Sequence, residues 1–466
     1  MGESSAPWLG RLLEVRLGPP GHGGFCVARY EGRVVFVRHG LPGELVLARV
    51  TEDRGGSFCR ADAVEILESS PARVSPTCPV SGPGGAGCCD FAHAVPSAQR
   101  ALKAAVVAEQ LRRITAIESE FEVEPIPGTA DRSEGWRTRI RLVVDAAGRA
   151  GVHRYRSTEV LTDLRCPQPV AGALDGIADR SWTPGADLVI AMDDEGERHI
   201  VELAPAPDPR QRPSSGGRDR RHGPGDRPRR ARPTADRAGN APAERDRETP
   251  DTANGQRRRA AARRAATHTA RDEWVIEGSG RAVQHVAGRR WEVSAAGFWQ
   301  AHRGAAQRYS DVVAEWAGLT HGSTAWDLYS GAGVFAARLA VQTGPSGSVQ
   351  AVESARGAVA DGNAVLGDLP WLTLRGGRVE QWVAGNHGPR PQVVVLDPPR
   401  AGAGKPVVAA VTAAAPDRIV HIGCDPASFA RDLRLYLDAG YRLGALRAFD
   451  AFPATHHVEC IALLER

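Results

Sequence analysis

The spacing of apolar and polar residues changes several times along the chain, and each change marks a different kind of element. Up to about Leu67 the apolar runs are short and alternating, as in "LLEVRLG", "FCVARYEGRVVFVRHG" and "ELVLARVTED", with glycine and proline between them. Alternation with a period of two predicts half-buried strands. Five such strands predict a small closed barrel of OB type over residues 1–67. A Gly/Pro-rich loop follows, and near Ser97 the spacing lengthens to that of a helix in "SAQRALKAAVVAEQLRRI". Next, "RTRIRLVVDAAGRAGVHRYRS" reads as a hairpin turning at Ala147 and Gly148. Residues 74–203 are therefore expected to form a central α+β domain. From Trp274 "VQHVAGRRWEVSAAGFWQAH" predicts a strand pair and then a helix through Trp316. After it, apolar strands alternate with helices in "TAWDLYSGAGVFAARLA", "GSVQAVESARGAVADGNAV", "QVVVLDPPR", "RIVHIGCDP" and "HHVECIALLER". That order implies an α/β, doubly wound, Rossmann-like sheet over residues 273–466.

Between these regions the pattern dissolves. Residues 204–272 include "RDRRHGPGDRPRRARP" and "GQRRRAAARRAAT", with almost no large apolar side chain. Such a stretch cannot bury enough surface to offset its ordering entropy and is expected to be a disordered linker. Its arginines add non-specific attraction to phosphates, although a plain solvating linker accounts for them equally well.

Composition narrows the class. The 466 residues leave room for two or three domains with real cores. Hydrophobic residues make up 42%, and no apolar run approaches the length of a membrane span. The start "MGESSAPWLG" lacks the basic and apolar regions of a signal peptide, so the expectation is a soluble, cytoplasmic chain with no membrane partner. Eight cysteines are too few for a disulfide scaffold in a chain this long. Cys78, Cys88 and Cys89 cluster in the Gly/Pro-rich loop, and Cys166, just before a proline, is a distant partner for them. Such a grouping suggests metal binding or catalysis. In the first segment Arg29, Tyr30, Arg33, Phe36, Arg38 and His39 supply the cationic and stacking side chains with which small barrels meet nucleic acid, or else a solvated face.

Chemistry gathers toward the C-terminus. "WDLYSGAGVFAARLA" reads as strand, Gly-rich turn and helix, with Gly331 and Gly333 letting backbone approach a ligand. The third glycine of a dinucleotide fingerprint is missing, so a nucleotide-like ligand without a pyrophosphate fits better, and S-adenosylmethionine is one. Glu353 follows the glycines by about twenty residues, the place from which an acid meets ribose hydroxyls. Asp397 ends the strand of "VVVLDPPR" at the edge where open α/β sheets bind ligands. Cys424 ends the following strand, and Pro426 fixes the turn after it. A thiol beside a methyl donor suggests covalent activation of a poor nucleophile, such as carbon 5 of a pyrimidine. Addition of thiolate to carbon 6 would let carbon 5 attack the methyl group. A base must then remove the carbon 5 proton so that the thiolate can leave. Glu459 on the last strand is the candidate base, with a pKa raised by apolar neighbours. Cys460 points to the opposite face and reads as core.

Taken in order, "DLYSGAG", "VLDPPRAG", "CDPASFARDL" and "FDAFPATHHVECIALL" resemble the bacterial RNA uridine C5-methyltransferases, which make 5-methyluridine in 23S rRNA or tRNA. The resemblance covers nearly the whole chain except the Arg-rich stretch. It implies a class I methyltransferase domain behind an N-terminal TRAM barrel. It also implies Cys424 as nucleophile, Glu459 as base, and cofactor contacts at Gln300, Tyr329, Glu353 and Asp397. Many members hold a 4Fe–4S cluster, for which Cys78, Cys88, Cys89 and Cys166 are the matching thiols, a structural zinc being the alternative. Five positions depart from the family pattern: Asp425 replaces an asparagine, Arg378 an acidic residue, Val334 a polar residue, Ala86 the middle cysteine, and Cys88 a glycine. The expected substrate is a uridine in a single-stranded loop of RNA, turned out of its stack, with rRNA ahead of tRNA. One chain holds every part, which suggests a monomer. The competing readings are RNA cytosine C5 methylation and a non-catalytic RNA-binding iron–sulfur protein.

Overall fold

The computed structural model describes residues 8–207, 271–385 and 388–466. Apart from its two ends, the linker expected over 204–272 lies outside the described residues. Among the described residues, no helix is long and apolar enough to cross a membrane.

The first unit is a curled sheet of six strands rather than five. They are β1 (Leu12–Arg16), β2 (Pro20–Gly21), β3 (Phe25–Tyr30), β4 (Arg33–Arg38), β5 (Leu45–Asp53) and β6 (Phe58–Glu68). The sheet order is β1-β5-β6-β4-β3-β2, and β1 packs back against β3. The extra strand, β2, is two residues long in a Gly/Pro-rich stretch and carries no alternation to announce it. Alternate residues Leu13, Val15, Val35, Val37, Val46, Ala48 and Val50 fill the interior. Two of the side chains placed on a nucleic-acid face by sequence are instead buried, namely Arg38 and His39. Arg38 donates to Asp90 at 2.5 Å, and Arg33 pairs with Asp53 at 2.6 Å. A buried guanidinium needs a carboxylate partner, and a partner on a distant loop is invisible to local pattern. Arg29, Tyr30 and Phe36 remain at least partly exposed.

The segments that follow interleave. Helix α1 (Pro96–Thr115) opens with proline in its first turn and ends where Ala116 turns left-handed. It is followed by β7 (Val123–Pro125), β8 (Arg139–Val144), β9 (Ala150–His153), β10 (Val160–Leu161), β11 (Asp187–Met192), β12 (Arg198–Leu203) and β13 (Glu273–Glu277). The central sheet runs β10-β9-β8-β11-β12-β13. Residues 273–277, expected to open the C-terminal domain, thus complete the central sheet, pairing antiparallel with β12. Conversely, β7 leaves the central region and joins the far edge of the C-terminal sheet. The expected boundaries at 203 and 273 therefore do not separate the two packed units.

The C-terminal unit begins with a hairpin, β14 (Arg281–Val286) and β15 (Arg289–Ser294), and helix α2 (Ala305–Ala317). Then come β16 (Thr324–Leu328), α3 (Val334–Thr343), β17 (Ser348–Glu353), α4 (Arg356–Val365), β18 (Leu372–Gly376), α5 (Val379–Gly385) and β19 (Val393–Leu396). The unit closes with α6 (Gly404–Ala413), β20 (Arg418–Gly423), α7 (Pro426–Asp438), β21 (Arg442–Asp450) and β22 (Glu459–Glu465). Strand order is β18-β17-β16-β19-β20-β22-β21-β7, with β22 antiparallel to its neighbours. All four residues of β19 are buried, because helices cover both faces of a parallel sheet. Helix α1 packs on α7, and the buried Lys103 bonds to Asp450 at the end of β21.

Candidate active site at the carboxyl edge of the catalytic sheet

Strands β16, β17, β19 and β20 end side by side, and the chain turns sharply after each. After β16, Tyr329 takes a left-handed φ of 63°, Gly331 56° and Gly333 90°. The two glycines do different work. A Cβ on Gly331 would meet nothing within 4 Å, so this backbone borders open space where a ligand can approach. A Cβ on Gly333 would lie 2.9 Å from Leu366, just past α4, so the lack of a side chain here lets the turn pack closely. Glu353 at the end of β17 accepts from the Gly331 N–H at 3.1 Å and from the Ala355 N–H at 2.7 Å. It thereby joins the first two strand-end turns. The Tyr329 ring packs on the other side of the sheet, and its hydroxyl is within hydrogen-bond reach of Glu380.

Sequence reasoning passed over Asp327. It is fully buried, and one oxygen accepts from the Ala336 N–H at 2.8 Å, holding the first turn of α3. Burial pushes it up to about 8, and its other oxygen has no protein partner. The available signal was an acid inside an otherwise apolar strand, immediately before a glycine turn.

Asp397 follows β19, and burial, then the charge of Glu353, raises it to about 7. Cys424 follows β20 and is half-buried. Burial, then the charges of Glu459 and Asp397, pushes its thiol up to about 12, while Arg400 opposes the shift. Asp425 caps α7 by accepting from the Ser428 N–H at 2.9 Å, and Pro426 occupies the first helical turn. The nucleophile candidate is therefore held between a strand end and a capped helix start. Gly423 pairs with Cys460 in the antiparallel β20–β22 ladder. Continuing that register by one residue sets Cys424 opposite Glu459, where cross-strand side chains share a face. Glu459 is buried, and desolvation, then Asp397, raises it well above an ordinary carboxyl. Cys460 lies on the other face, in the cluster with Val107 and Phe429. Tyr309 of α2 is also fully buried here; its ring leans on Phe449, the cross-strand partner of Glu459, with centroids 5.8 Å apart. Its hydroxyl has no hydrogen-bond partner.

The pocket mouth at Cys424 is lined by His22, Arg400, Asp425, His456 and His457. Arg400 reaches the His457 ring nitrogen at 3.2 Å. Gln300 stands on a separate loop, half-buried, between Trp299 and Ala301. The Trp299 ring packs on Trp291, and the Ala301 carbonyl accepts from the Thr138 N–H at 2.9 Å, which ties this loop to the central sheet.

The four loop and distant cysteines come together. Cys78 is within hydrogen-bond reach of the thiols of Cys166 and Cys89, and the Cys88 and Cys89 sulfurs are 3.8 Å apart. Backbone N–H groups of Val80 and Ser81 point at Cys78, that of Gln168 points at Cys166, and the Gln168 side chain donates to Cys89 at 3.2 Å. Left-handed Gly84 and Gly87 bend the loop tightly enough to bring adjacent cysteines inward. A Cβ on Gly87 would collide with the Tyr155 ring, so that ring closes over the loop. Four thiols with N–H donors aimed at sulfur suit a metal–sulfur group.

A mostly parallel α/β sheet with a glycine turn and two strand-end carboxylates at its carboxyl edge is the architecture of a class I methyltransferase domain. Comparison with known proteins agrees. Residues 390–466 match the tRNA (Uracil-5-)-methyltransferase family, and residues 9–64 match the TRAM domain. An RNA methyltransferase of Streptomyces avermitilis is 38% identical, covering 98% of this chain and 99% of that protein. The 23S rRNA (uracil(1939)-C(5))-methyltransferase RlmD of Photorhabdus laumondii is 28% identical over 94% of this chain and 93% of its own length. The crystal structure of Pyrococcus abyssi tRNA (uracil-54, C5)-methyltransferase in complex with S-adenosyl-L-homocysteine superposes with a TM-score of 0.63. It covers 97% of this chain and 100% of that one at 19% identity, a likeness of fold. The chain belongs to the RNA uracil-C5 methyltransferase family.

Proposed function

We propose that this protein transfers a methyl group from S-adenosylmethionine to carbon 5 of a uridine in RNA, with Cys424 as nucleophile and Glu459 as base. The observation that carries the reading is that Cys424 directly follows the ladder pair Gly423–Cys460, within reach of the charges of the buried Glu459 and of Asp397. The Cys424 thiolate adds to carbon 6 of the uracil, and the ring becomes an enolate. Carbon 5 then forms a bond to the donor's methyl carbon, whose bond to sulfur breaks, releasing S-adenosylhomocysteine. Glu459 takes the proton from carbon 5, the carbon 6–sulfur bond breaks, and thiolate and 5-methyluridine separate. Glu459 finally releases one proton to solvent. Its raised pKa makes it a stronger base than an ordinary carboxylate. The cationic donor is favoured by the acids that border its site, Asp397, Glu353 and Asp327. In turn its charge lowers the cost of ionising Cys424.

Ribosomal RNA is the substrate we favour over tRNA, on the full-length likeness to the Photorhabdus enzyme named for 23S rRNA. A flipped uridine from a single-stranded loop suits a pocket in which both carbons 5 and 6 must be reached. Cys78, Cys88, Cys89 and Cys166 are the residues that would hold a 4Fe–4S cluster, which would fasten the loop of residues 78–89 to the segment at Cys166.

The test is nucleoside mass spectrometry. Purified protein is incubated with isotope-labelled S-adenosylmethionine and undermethylated RNA, and rRNA and tRNA are separated before digestion. Labelled 5-methyluridine in rRNA is the expected result. Labelled 5-methylcytidine would replace this reading with the cytosine one, and absence of label despite RNA binding would overturn catalysis. Cys424→Ala is expected to abolish transfer while RNA still binds, and Glu459→Gln to accumulate a covalent RNA adduct.

A further inference from the structure

The N-terminal barrel reaches into the catalytic pocket. Its β2–β3 turn consists of His22, Gly23 and Gly24, and His22 lines the pocket mouth with Cys424 and Asp425. The His22 Nε2 lies 3.1 Å from Oδ2 of Asp425. The other oxygen of Asp425 caps α7 through the Ser428 N–H. Asp425 therefore has two ties, one to the barrel and one to the helix, and it is the residue bonded directly to Cys424.

The turn that carries His22 is itself fixed from behind. Gly24 has a left-handed φ of 80°, and a Cβ there would lie 2.9 Å from that of Asp90, so the turn sits flush on the Asp90 loop. Asp90 accepts from barrel Arg38 at 2.5 Å through one oxygen and contacts His456 of the pocket rim through the other. The barrel thus meets the pocket rim through two carboxylates, Asp425 next to Cys424 and Asp90 against His456. A loose tether for RNA would need neither contact. An exposed pair such as His22–Asp425 contributes little to global stability, so its value lies in where it holds the chain.

We infer that His22 is a positioning residue for methyl transfer: by holding Asp425 it fixes the peptide carrying Cys424, so that barrel docking completes the active site. The inference rests on the reading of Cys424 as the reacting thiol. A misplacement of about an ångström at a reacting atom costs up to ~100-fold in rate. His22→Ala is accordingly expected to lower kcat by about tenfold, leaving KM for RNA and the melting temperature unchanged. His22→Gln, which can still donate to Asp425, is expected to recover most of the loss. The double variant His22→Ala with Asp425→Ala is expected to be no slower than Asp425→Ala alone, because both changes break one contact.

A second readout needs no turnover. Iodoacetamide labelling of Cys424 in the full-length protein, followed by peptide mass spectrometry, reports the setting of the thiol. His22→Ala is expected to change that rate several-fold and His22→Gln to restore it. A kcat within twofold of wild type, or a loss confined to KM and overcome by more RNA, would overturn the inference and make His22 an RNA contact or a bystander. Failure of wild-type protein to methylate would instead strike the proposed function, while the labelling result would still decide whether His22 sets the thiol.

Discussion

Tyr309→Phe is expected to make the protein more stable and less active. The change removes one oxygen and leaves the ring, which is fully buried and packed against Phe449. Among the described residues the hydroxyl has no hydrogen-bond partner. A buried hydroxyl without a partner forfeits its water hydrogen bonds, a cost of about 1–3 kcal/mol. Losing one oxygen's packing returns part of that, so a net gain of about 1 kcal/mol is expected. For a domain of this size that corresponds to a rise of roughly 2–4 °C in melting temperature. Differential scanning calorimetry of the two proteins without substrate measures it. A fall of similar size would refute the reasoning, because it would mean that the hydroxyl is hydrogen-bonded in the resting protein. The same hydroxyl faces the charges of Glu459, Asp397 and Cys424. If it is left unpaired until substrate arrives, its loss slows turnover while the resting fold gains, a trade expected of active-site groups.

Other expectations follow from the same contacts. Lys103→Ala leaves the Asp450 carboxylate buried without its cation, at a cost of about 3–5 kcal/mol, read as a lower urea midpoint; replacing both by apolar residues is expected to recover most of it. Methylation is expected to quicken as pH rises from 6 to 9. Asp397 sits near 7, Glu459 lies well above an ordinary carboxyl and Cys424 near 12, and each acts in its deprotonated form. A flat or falling profile across that range would contradict their roles. Cys78→Ser or Cys166→Ser is expected to lose bound iron, measured by elemental analysis of protein purified without oxygen, whereas Cys460→Ser keeps it.

Local pattern was enough for the strands of the C-terminal sheet and for singling out Cys424 and Glu459 as a candidate pair, because each declares itself within a few residues. "VVVLD" is apolar until it stops at an acid, and "HIGCDP" ends a strand at a thiol and a proline. Glu459 and Cys460 were separated correctly by strand alternation alone. Contacts across long stretches of chain were not legible. Arg38 looked like a surface cation until Asp90, 52 residues away, was found against it. Strands β7 and β13 are short, and neither alternation nor length says which sheet will take them. His22 and Tyr309 carry no motif; their interest comes entirely from what lies opposite. The roles of Gly331 and Gly333 also look identical in sequence and diverge only when their surroundings are seen.

The packing of α1 against α7 bears on how the protein is made. Lys103 and Asp450 are 347 residues apart. As the chain leaves the ribosome, Val107 and Leu111 of α1 emerge long before Phe429, Leu433 and Ala462, against which they pack. No N-terminal fragment can complete the catalytic sheet, whose antiparallel β22 is the final strand and whose outermost strand, β7, is already waiting. Closing this half therefore depends on contacts such as Lys103–Asp450 that span most of the chain, which makes it slow. The exposed face of α1 is where a chaperone would find the nascent chain.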